Sequence, residues 1–409
     1  MAPRLYISLR SMKLSFTEQD ILEHGVAEII GMEDLRARIK AGKKLQVKLG
    51  IDPTSPNIHL GRSTVLWRLR AFQELGHDIH FLIGDFTGQV GDTSDKDAER
   101  PMLSEETVKE NLATYLDQAW MILNPAKKDQ VHIHYNSEWL EGLSLGRISF
   151  MADAFSVNQF IKRELVAKRL ESGSRISLRE MLYPLMQGYD SVVLKADVEL
   201  GGTDQRFNML AGRTLQEQAG QPPQAVIMGT LISGTDGRKM SSSWGNVISL
   251  MDTPGDKFGK LMAVRDDIMG EYLLAMPISA QPFTAEALAS RLAAGENPRN
   301  LKMELGQALV ALYHGEAVAA AVKAAFIAQF SEGQKPTDIP ELSLASLEIQ
   351  NLLEALTAAS LASSKTEARR LLEQRGVKVN DEVVQDPATA LKPGDLLQVG
   401  KRHFLKLIA

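Results

Sequence analysis

The 409-residue chain contains no cysteine. That one absence excludes disulfides, thiolate metal ligands, a thiol nucleophile and thiol redox chemistry. No run of about 18 apolar residues occurs, so the sequence offers no membrane-spanning helix. Neither a G-x-x-x-x-G-K-[ST] phosphate loop nor a G-x-G-x-x-G fingerprint is present, so any bound nucleotide must be held by another device. Positive charge is also in short supply: 46 Lys and Arg face 51 Asp and Glu, a net of −5. This argues against a surface coated for nucleic acid but leaves room for a local basic face. What remains is ordinary for a globular protein, with 44% hydrophobic and 24% charged residues. The length accommodates two to four domains.

Before the first acid, Glu18, stand Arg4, Arg10, Lys13 and several Ser. The stretch faintly resembles a transit peptide; an extended or misassigned start, with Met12 as the alternative first residue, is the favoured reading. From about 20 to 250, short apolar runs alternate with helical periodicity. LQVKLGI (45–51) reads as a strand, STVLWRLRAFQELG (63–76) as a helix and DIHFLIGD (78–85) as a strand. That order is the unit of a doubly wound parallel sheet. Segment 151–190 is richer in helix signals, and strands return at 194–202 and 224–233, the latter followed by a TDG turn. From 251 Ala and Leu dominate, which predicts an α-helical domain to about 335. SEGQKPTDIPE (331–341), with two Pro, a Gly and mixed charge, predicts a linker, placed at 336–349, and a small α+β module (350–409) follows.

Charge is unevenly shared. Residues 364–409 hold nine Lys or Arg and six acids, about +3, which leaves about −8 for the rest. SSKTEARRLLEQRGVKVN predicts a helix capped at Ser363 or Ser364 and ended by Gly376, then a strand. KPGDLLQVGKRHFLKLI predicts turn, strand, turn, strand. Lys365, Arg369, Arg370 and Arg375, with Lys401 and Arg402, form the basic set suited to phosphate contacts.

GIDPTSPNIHLGR (50–62) joins the first predicted strand to its helix, at the strand's carboxyl end where ligands bind in open sheets. Gly61 permits close approach of a ligand, and His59 lies near a helix N-terminus that attracts phosphate. GRKMSSSWGN (237–246) puts Arg238 and Lys239 on a Gly- and Ser-rich loop able to close over a polyphosphate. MLYPLMQGYDSV (181–192) places Tyr183, Gln187 and Asp190 on one helix face, where buried polar groups need partners or a ligand.

Taken singly, His59 reads as structural and 237–246 as a surface loop. Together they resemble the paired HIGH and KMSKS signatures of class I aminoacyl-tRNA synthetases. Y-x-x-x-Q-x-x-D, G-G-T-D-Q-R-F-N (201–208), G-D-F-T-G-x-x-G-D (84–92) and Y-N-S-E-W-L (135–140) resemble the tyrosyl-tRNA synthetases, in the branch with V-K-L-G-x-D-P-T. The tail, S-x-x-E-A-R-R-L-L-x-x-x-G-V-x-V-N with P-G-D-x-L-x-V-G-K, resembles the S4 RNA-binding module, which the related tryptophanyl enzymes lack. The resemblance runs from about residue 20 to the end.

It implies a Rossmann-type catalytic domain (1–250) with an inserted dimerisation region (about 120–190), a helical anticodon-recognition domain (251–335) and an S4 domain. It implies tyrosine and ATP as substrates, Mg²⁺ carried with ATP and no protein-bound metal, tRNA(Tyr) as partner, a cytoplasmic homodimer and no membrane. By position, Asp92, Tyr183 and Gln187 take the substrate ammonium, Gln205 lies near its carboxylate and Asp190 accepts the phenol hydroxyl. Gly50, Asp52, Thr54, His59, Gly61, Gly202, Asp204, Lys239, Ser241 and Ser242 line the ATP site. Lys96, Arg100 and Lys239, with His59 and Arg62, serve the chemical step.

The implied reaction is attack of the tyrosine carboxylate on the α-phosphorus of ATP, then transfer to a ribose hydroxyl of tRNA. A carboxylate is already nucleophilic at pH 7, so alignment and cations carry catalysis. Several residues depart from the pattern: Arg62 replaces the final His of the first signature, Ser242 replaces the second Lys of KMSKS, and Thr93 and Asp95 alter GDPSGK. Lys48 stands where many tyrosyl enzymes carry Tyr, but the V-K-L-G-x-D-P-T branch carries Lys there, so it is not counted with these departures. These departures leave a second reading, a paralogue that binds RNA or tyrosine but activates weakly or not at all.

Overall fold

The computed structural model describes residues 14–53, 56–92, 104–241, 244–331, 339–344, 349, 351–359, 361–362, 364–400 and 403–408. The chain divides into two compact units, Met1–Val322 and Lys323–Ala409.

The first unit is built on a six-stranded sheet. Its strands are β1 (Val26–Ile30), β2 (Gln46–Ile51), β3 (Asp78–Ile83), β4 (Val131–Tyr135), β5 (Val198–Gly202) and β6 (Ala225–Gly229). Their order is β1-β6-β5-β2-β3-β4. All pairings are parallel except that of β1 with β6. β6 is buried at every residue, and β2 buries Val47, Lys48 and Leu49 in succession. Helices on both faces demand such continuous apolar runs, and Lys48 is the exception within one. The chain runs from β2 outward to β3 and β4, then returns to β2's other side with β5. That reversal is the topological switch point, where a crevice opens at the carboxyl ends of β2 and β5.

The predicted strand–helix–strand unit is present as β2, the helix Leu60–Glu74 and β3. The helix begins three residues earlier than its periodicity indicated, with His59 in extended conformation at its N-cap. The edge strand β1 and the strand β4 have no counterpart in the sequence reading.

The helices predicted from 251 onward are Pro254–Met262, Ala285–Ala293, Pro298–His314 and Glu316–Ser331. Through residue 322 they share the core of the sheet domain: Leu301, Leu305 and Leu309 belong to the same buried cluster as Phe72 and Val198. Within this unit Trp67 Nε1 also donates to Tyr313 Oη of the helix Pro298–His314 at 3.1 Å.

The second unit has a five-stranded sheet of β7 (Glu341–Ser343), β8 (Val377–Val379), β9 (Glu382–Val383), β10 (Leu396–Val399) and β11 (His403–Ile408), in the order β7-β11-β10-β8-β9. Leu352, Leu356, Leu372, Val377, Leu397 and Leu407 form its core. The stretch read as a linker thus contributes β7, paired in parallel with β11. The helix Lys365–Glu373 is capped by Ser364, whose hydroxyl accepts from Glu367 N. Its end differs from expectation: Arg375, not Gly376, takes the left-handed conformation at φ 59°. Arg375 N donates to Leu372 O and Gly376 N to Leu371 O, which satisfies the last carbonyls.

Two helices, Leu178–Leu194 and Arg206–Gln218, meet where Gly188 faces Ala211. A methyl at 188 would stand 2.9 Å from the Ala211 carbonyl carbon and 3.0 Å from its oxygen. Gly188→Ala is therefore expected to lower stability by about 1–3 kcal/mol through forced separation of the helices. Urea unfolding checks this, and an unchanged midpoint would contradict the close packing.

Candidate active site

The two signature segments are joined directly. Leu60 N donates to Ile248 O at 2.9 Å and Leu250 N to Ile58 O at 2.9 Å, around a bridge between His59 and Ser249. The buried Met240 brings its sulfur to 3.3 Å from Gly61 N. A methyl on Gly61 would press on that sulfur and on the His59 ring, both at 3.1 Å, so only glycine lets the segments meet this closely. His59 Nδ1 is buried without a hydrogen-bond partner among the described residues. Burial, aided by the nearby Arg62 guanidinium, holds the imidazole down at about 4, so it is neutral. Arg62 Nη1 donates to Tyr115 Oη at 2.6 Å, which aims this departure from the signature toward the helix Glu105–Trp120.

The second signature is braced on its outer side. Asn246 donates to Asp236 Oδ1 at 2.9 Å and to Lys239 O at 3.1 Å, and accepts from Ser241 N at 2.9 Å. Arg238 pairs with Asp236 at 2.6 Å and lies 4.9 Å from the Trp244 ring centroid. The Lys239 side chain is exposed.

A polar cluster occupies the crevice. Tyr183 Oη donates to Asp52 Oδ2 at 2.7 Å, and Thr87 Oγ1 to Asp52 Oδ1 at 2.8 Å. Burial first, then the Asp52 and Asp92 carboxylates, push the Tyr183 phenol well above its ordinary range. Gln205 Nε2 donates to Asp92 Oδ2 at 2.7 Å and is itself braced by Asn208. Deeper in, Asp190 is 2% exposed. It accepts from Trp139 Nε1 at 2.8 Å and Asn136 Nδ2 at 3.4 Å. Burial raises its carboxyl to about 7 against the lowering effect of Lys48 and these donors. The Gln187 amide donates to Glu199 Oε1 at 3.0 Å. In this state, therefore, Tyr183 faces Asp52 and Gln187 faces Glu199.

Gly50 is the last residue but one of β2, while Gly202 lies at the carboxyl end of β5. A methyl on Gly202 would collide with Asp204 Oδ1 at 2.5 Å, so the backbone there lies directly against the carboxylate. Thr54, Lys96, Arg100, Ser242, Lys401 and Arg402, with Thr93 and Asp95, lie outside the described residues. Among the described residues no group of three or more His, Asp or Glu is arranged to hold a metal ion. Residues the sequence reading missed include Thr87, Ser191 and Glu199. Glu199 had a visible signal, a lone acid inside an apolar strand.

The family model for class I tRNA synthetases (W and Y) matches residues 40–331, and the S4 domain model matches 350–397. A tyrosine–tRNA ligase of Shewanella oneidensis is 44% identical over 390 residues, covering 94% of this chain and 97% of its own. The chain belongs to the tyrosyl-tRNA synthetases of class I. One from Bordetella avium is 44% identical over 374 residues, 91% of this chain and 90% of its own. Among solved structures, a tyrosyl-tRNA synthetase complexed with L-tyrosine from Archaeoglobus fulgidus shares the fold at a TM-score of 0.59 and 22% identity. It covers 75% of this chain and 98% of its own. The synthetase fold thus carries a parallel-rich catalytic sheet and a C-terminal S4 domain with a second sheet.

Because the His59 imidazole is held near 4, the folded protein binds fewer protons than the unfolded chain between about pH 6.5 and 4. Stability falls as pH drops through that window. His59→Gln should therefore lose less stability than the parent between about pH 7 and 5 in urea titrations. Equal losses would show that the ring protonates freely in the folded state. The comparison with the parent isolates His59 from Asp190, whose raised carboxyl works with the opposite sign.

Proposed function

We infer that this synthetase activates tyrosine with ATP to tyrosyl-adenylate and transfers the tyrosyl group to the 3′ end of tRNA(Tyr). The observation that carries the tyrosine assignment is Asp190, a buried carboxylate at 2% exposure, held by donors from Trp139 and Asn136. A phenol hydroxyl donating to it replaces the water it has lost. Phenylalanine leaves it unpaired, which is costly in a dry site. Tyr183, Asp92, Gln187 and Gln205 receive the ammonium and carboxylate. This role requires Tyr183 and Gln187 to release Asp52 and Glu199 when substrate enters.

Gly50, Asp52, Thr54, His59, Gly61, Gly202, Asp204, Lys239, Ser241 and Ser242 form the ATP side. A neutral, desolvated His59 ring suits hydrogen bonding to phosphate oxygen without titrating near neutrality. Lys96, Arg100, Lys239 and Arg62 supply cations as negative charge grows on the leaving pyrophosphate. Mg²⁺ arrives with ATP, held mainly by phosphates and water, and neutralises phosphate charge.

On the S4 domain Lys365, Arg369 and Arg370 are exposed on the helix that buries Ala368 and Leu372, and Arg375 is exposed just after it. These four, with Lys401 and Arg402 on sequence grounds, are assigned the contacts to RNA. The apolar side chains of Leu145, Phe150, Val157, Leu178 and Leu182 are exposed within or near the region 120–190. So many exposed apolar side chains within one region fit a homodimer interface. No helix among the described residues is long and apolar enough to cross a membrane. The reading assigns the enzyme to the cytoplasm. It also keeps 1–250 as the catalytic region, 251–335 as the helical region and 350–409 as the S4 region, to which β7 from the stretch 336–349 is added.

Tyrosine-dependent exchange of labelled pyrophosphate into ATP tests this reading. Exchange is expected; its absence from folded protein would favour the weakly activating paralogue. In the same assay Asp190→Asn should reduce the preference for tyrosine over phenylalanine by about 10–100-fold while leaving the KM for ATP near normal. Equal damage to both substrates would remove the phenol role. For the RNA face, Arg369→Glu with Arg370→Glu should spare exchange and raise the KM for tRNA. The salt dependence of charging should also become shallower, by roughly one unit of log–log slope for each phosphate no longer neutralised. Unaltered charging would remove that face from RNA binding.

A further inference from the structure

Beneath the crevice lies a buried ion pair for which the roles above provide no use. Lys48 is 0% exposed in the middle of β2, and Glu199 is 1% exposed on the adjacent β5. Lys48 Nζ stands 3.0 Å from Glu199 Oε1 and donates to Ser191 Oγ at 2.8 Å and to Gln187 O at 2.9 Å. All three ammonium donors are therefore engaged. Glu199 also accepts from Gln187 Nε2 at 3.0 Å, from Ser191 Oγ at 3.3 Å and from Gln224 Nε2. Two well-packed apolar side chains would stabilise a fold at least as well as such a pair. Its placement points elsewhere.

Both helix partners of Lys48, Gln187 and Ser191, belong to the turn that carries Asp190. The pair is thus anchored to the residue that faces the substrate phenol. The groups acting on Asp190 come from four places. Lys48 on β2 favours its charged form and Glu199 on β5 opposes it. Trp139 and Asn136 donate hydrogen bonds from the β4-side segment. Tyr183, on Asp190's own helix, has an interacting phenol that stays protonated.

We propose that the Lys48–Glu199 pair is a charge-setting device for tyrosine selection: Lys48, anchored on the two residues that flank Asp190, biases Asp190 toward its carboxylate form, and Glu199 holds Lys48 in place. This rests on Asp190 being the phenol acceptor. Without the ammonium, burial drives Asp190 toward the neutral acid. A neutral acid is a weaker acceptor for the phenol, and leaving it unpaired costs less when phenylalanine binds. Selectivity falls from both directions. Lys48 and Glu199 act through Asp190, as positioning residues that do not touch the substrate.

The test follows kcat/KM for tyrosine and for phenylalanine in pyrophosphate exchange from about pH 6 to about pH 9. In the parent, efficiency with tyrosine should rise through an inflection near 7, the value set by Asp190. Lys48→Met alone strands Glu199, so the working variant is Lys48→Met with Glu199→Gln. The Lys48 effect on Asp190 is the larger of the two opposing ones, so removing both should still move the inflection upward and lower tyrosine preference by about threefold or more at neutral pH. Tyrosine KM should recover at the alkaline end, with the KM for ATP unchanged. Glu199→Gln alone, which removes the opposing anion, should move the inflection downward. If both variants keep the parental inflection, the proposal is overturned. Asp190→Asn separates the two levels. Should it retain both inflection and preference, the phenol assignment itself fails; should it lose both while the Lys48 variants lose neither, only the charge-setting role fails.

Discussion

Enclosing the Asp190 carboxylate takes away its water and lifts its carboxyl to about 7, in opposition to one buried cation and two neutral donors. Much of the crevice can be understood from that balance. Trp139 and Asn136 fix the carboxylate's direction, and the Lys48–Glu199 pair sits under the same helix turn. Gly188 lets that helix settle against its neighbour, so the turn is held by packing as well as by charge. A buried acid of this kind discriminates by what it lacks: a substrate able to donate a hydrogen bond restores what burial removed.

The ATP side follows a different constraint. The two signatures lie about 180 residues apart in sequence, yet backbone hydrogen bonds and the Met240–Gly61 contact bind them into one wall. His59 stays neutral because the same joint shields it. The departures divide by location. Arg62 reaches Tyr115, while Ser242 and Asp95 fall in segments beyond the described residues. The close family match across 94% of the chain supports an active ligase over a weakly activating paralogue.

Local signals made much of this legible. The β2–helix–β3 unit could be read because its periodicity changes from buried run to amphipathic helix within 40 residues. The S4 helix carried its own cap at Ser364. What escaped depended on distant partners. β1 is defined by antiparallel pairing with β6, and β7 by pairing with β11 across some 65 residues. Neither has a strong pattern of its own. Arg375 takes the left-handed turn expected near Gly376, a shift of one residue that cap geometry decides and composition does not. Within the candidate site, spacing alone put Tyr183 and Asp190 on one helix face, and both are buried there. Glu199 was passed over because an acid in an apolar strand acquires meaning only once Lys48 is seen opposite it.

The central claim is that a buried carboxylate selects the phenol. Calorimetric titration of the full-length protein with L-tyrosine and with L-phenylalanine, at about pH 8 where Asp190 is ionised, measures this without catalysis. The account predicts that tyrosine binds at least about tenfold more tightly, by the worth of a hydrogen bond to a buried charge. Equal affinity for the two amino acids would contradict it.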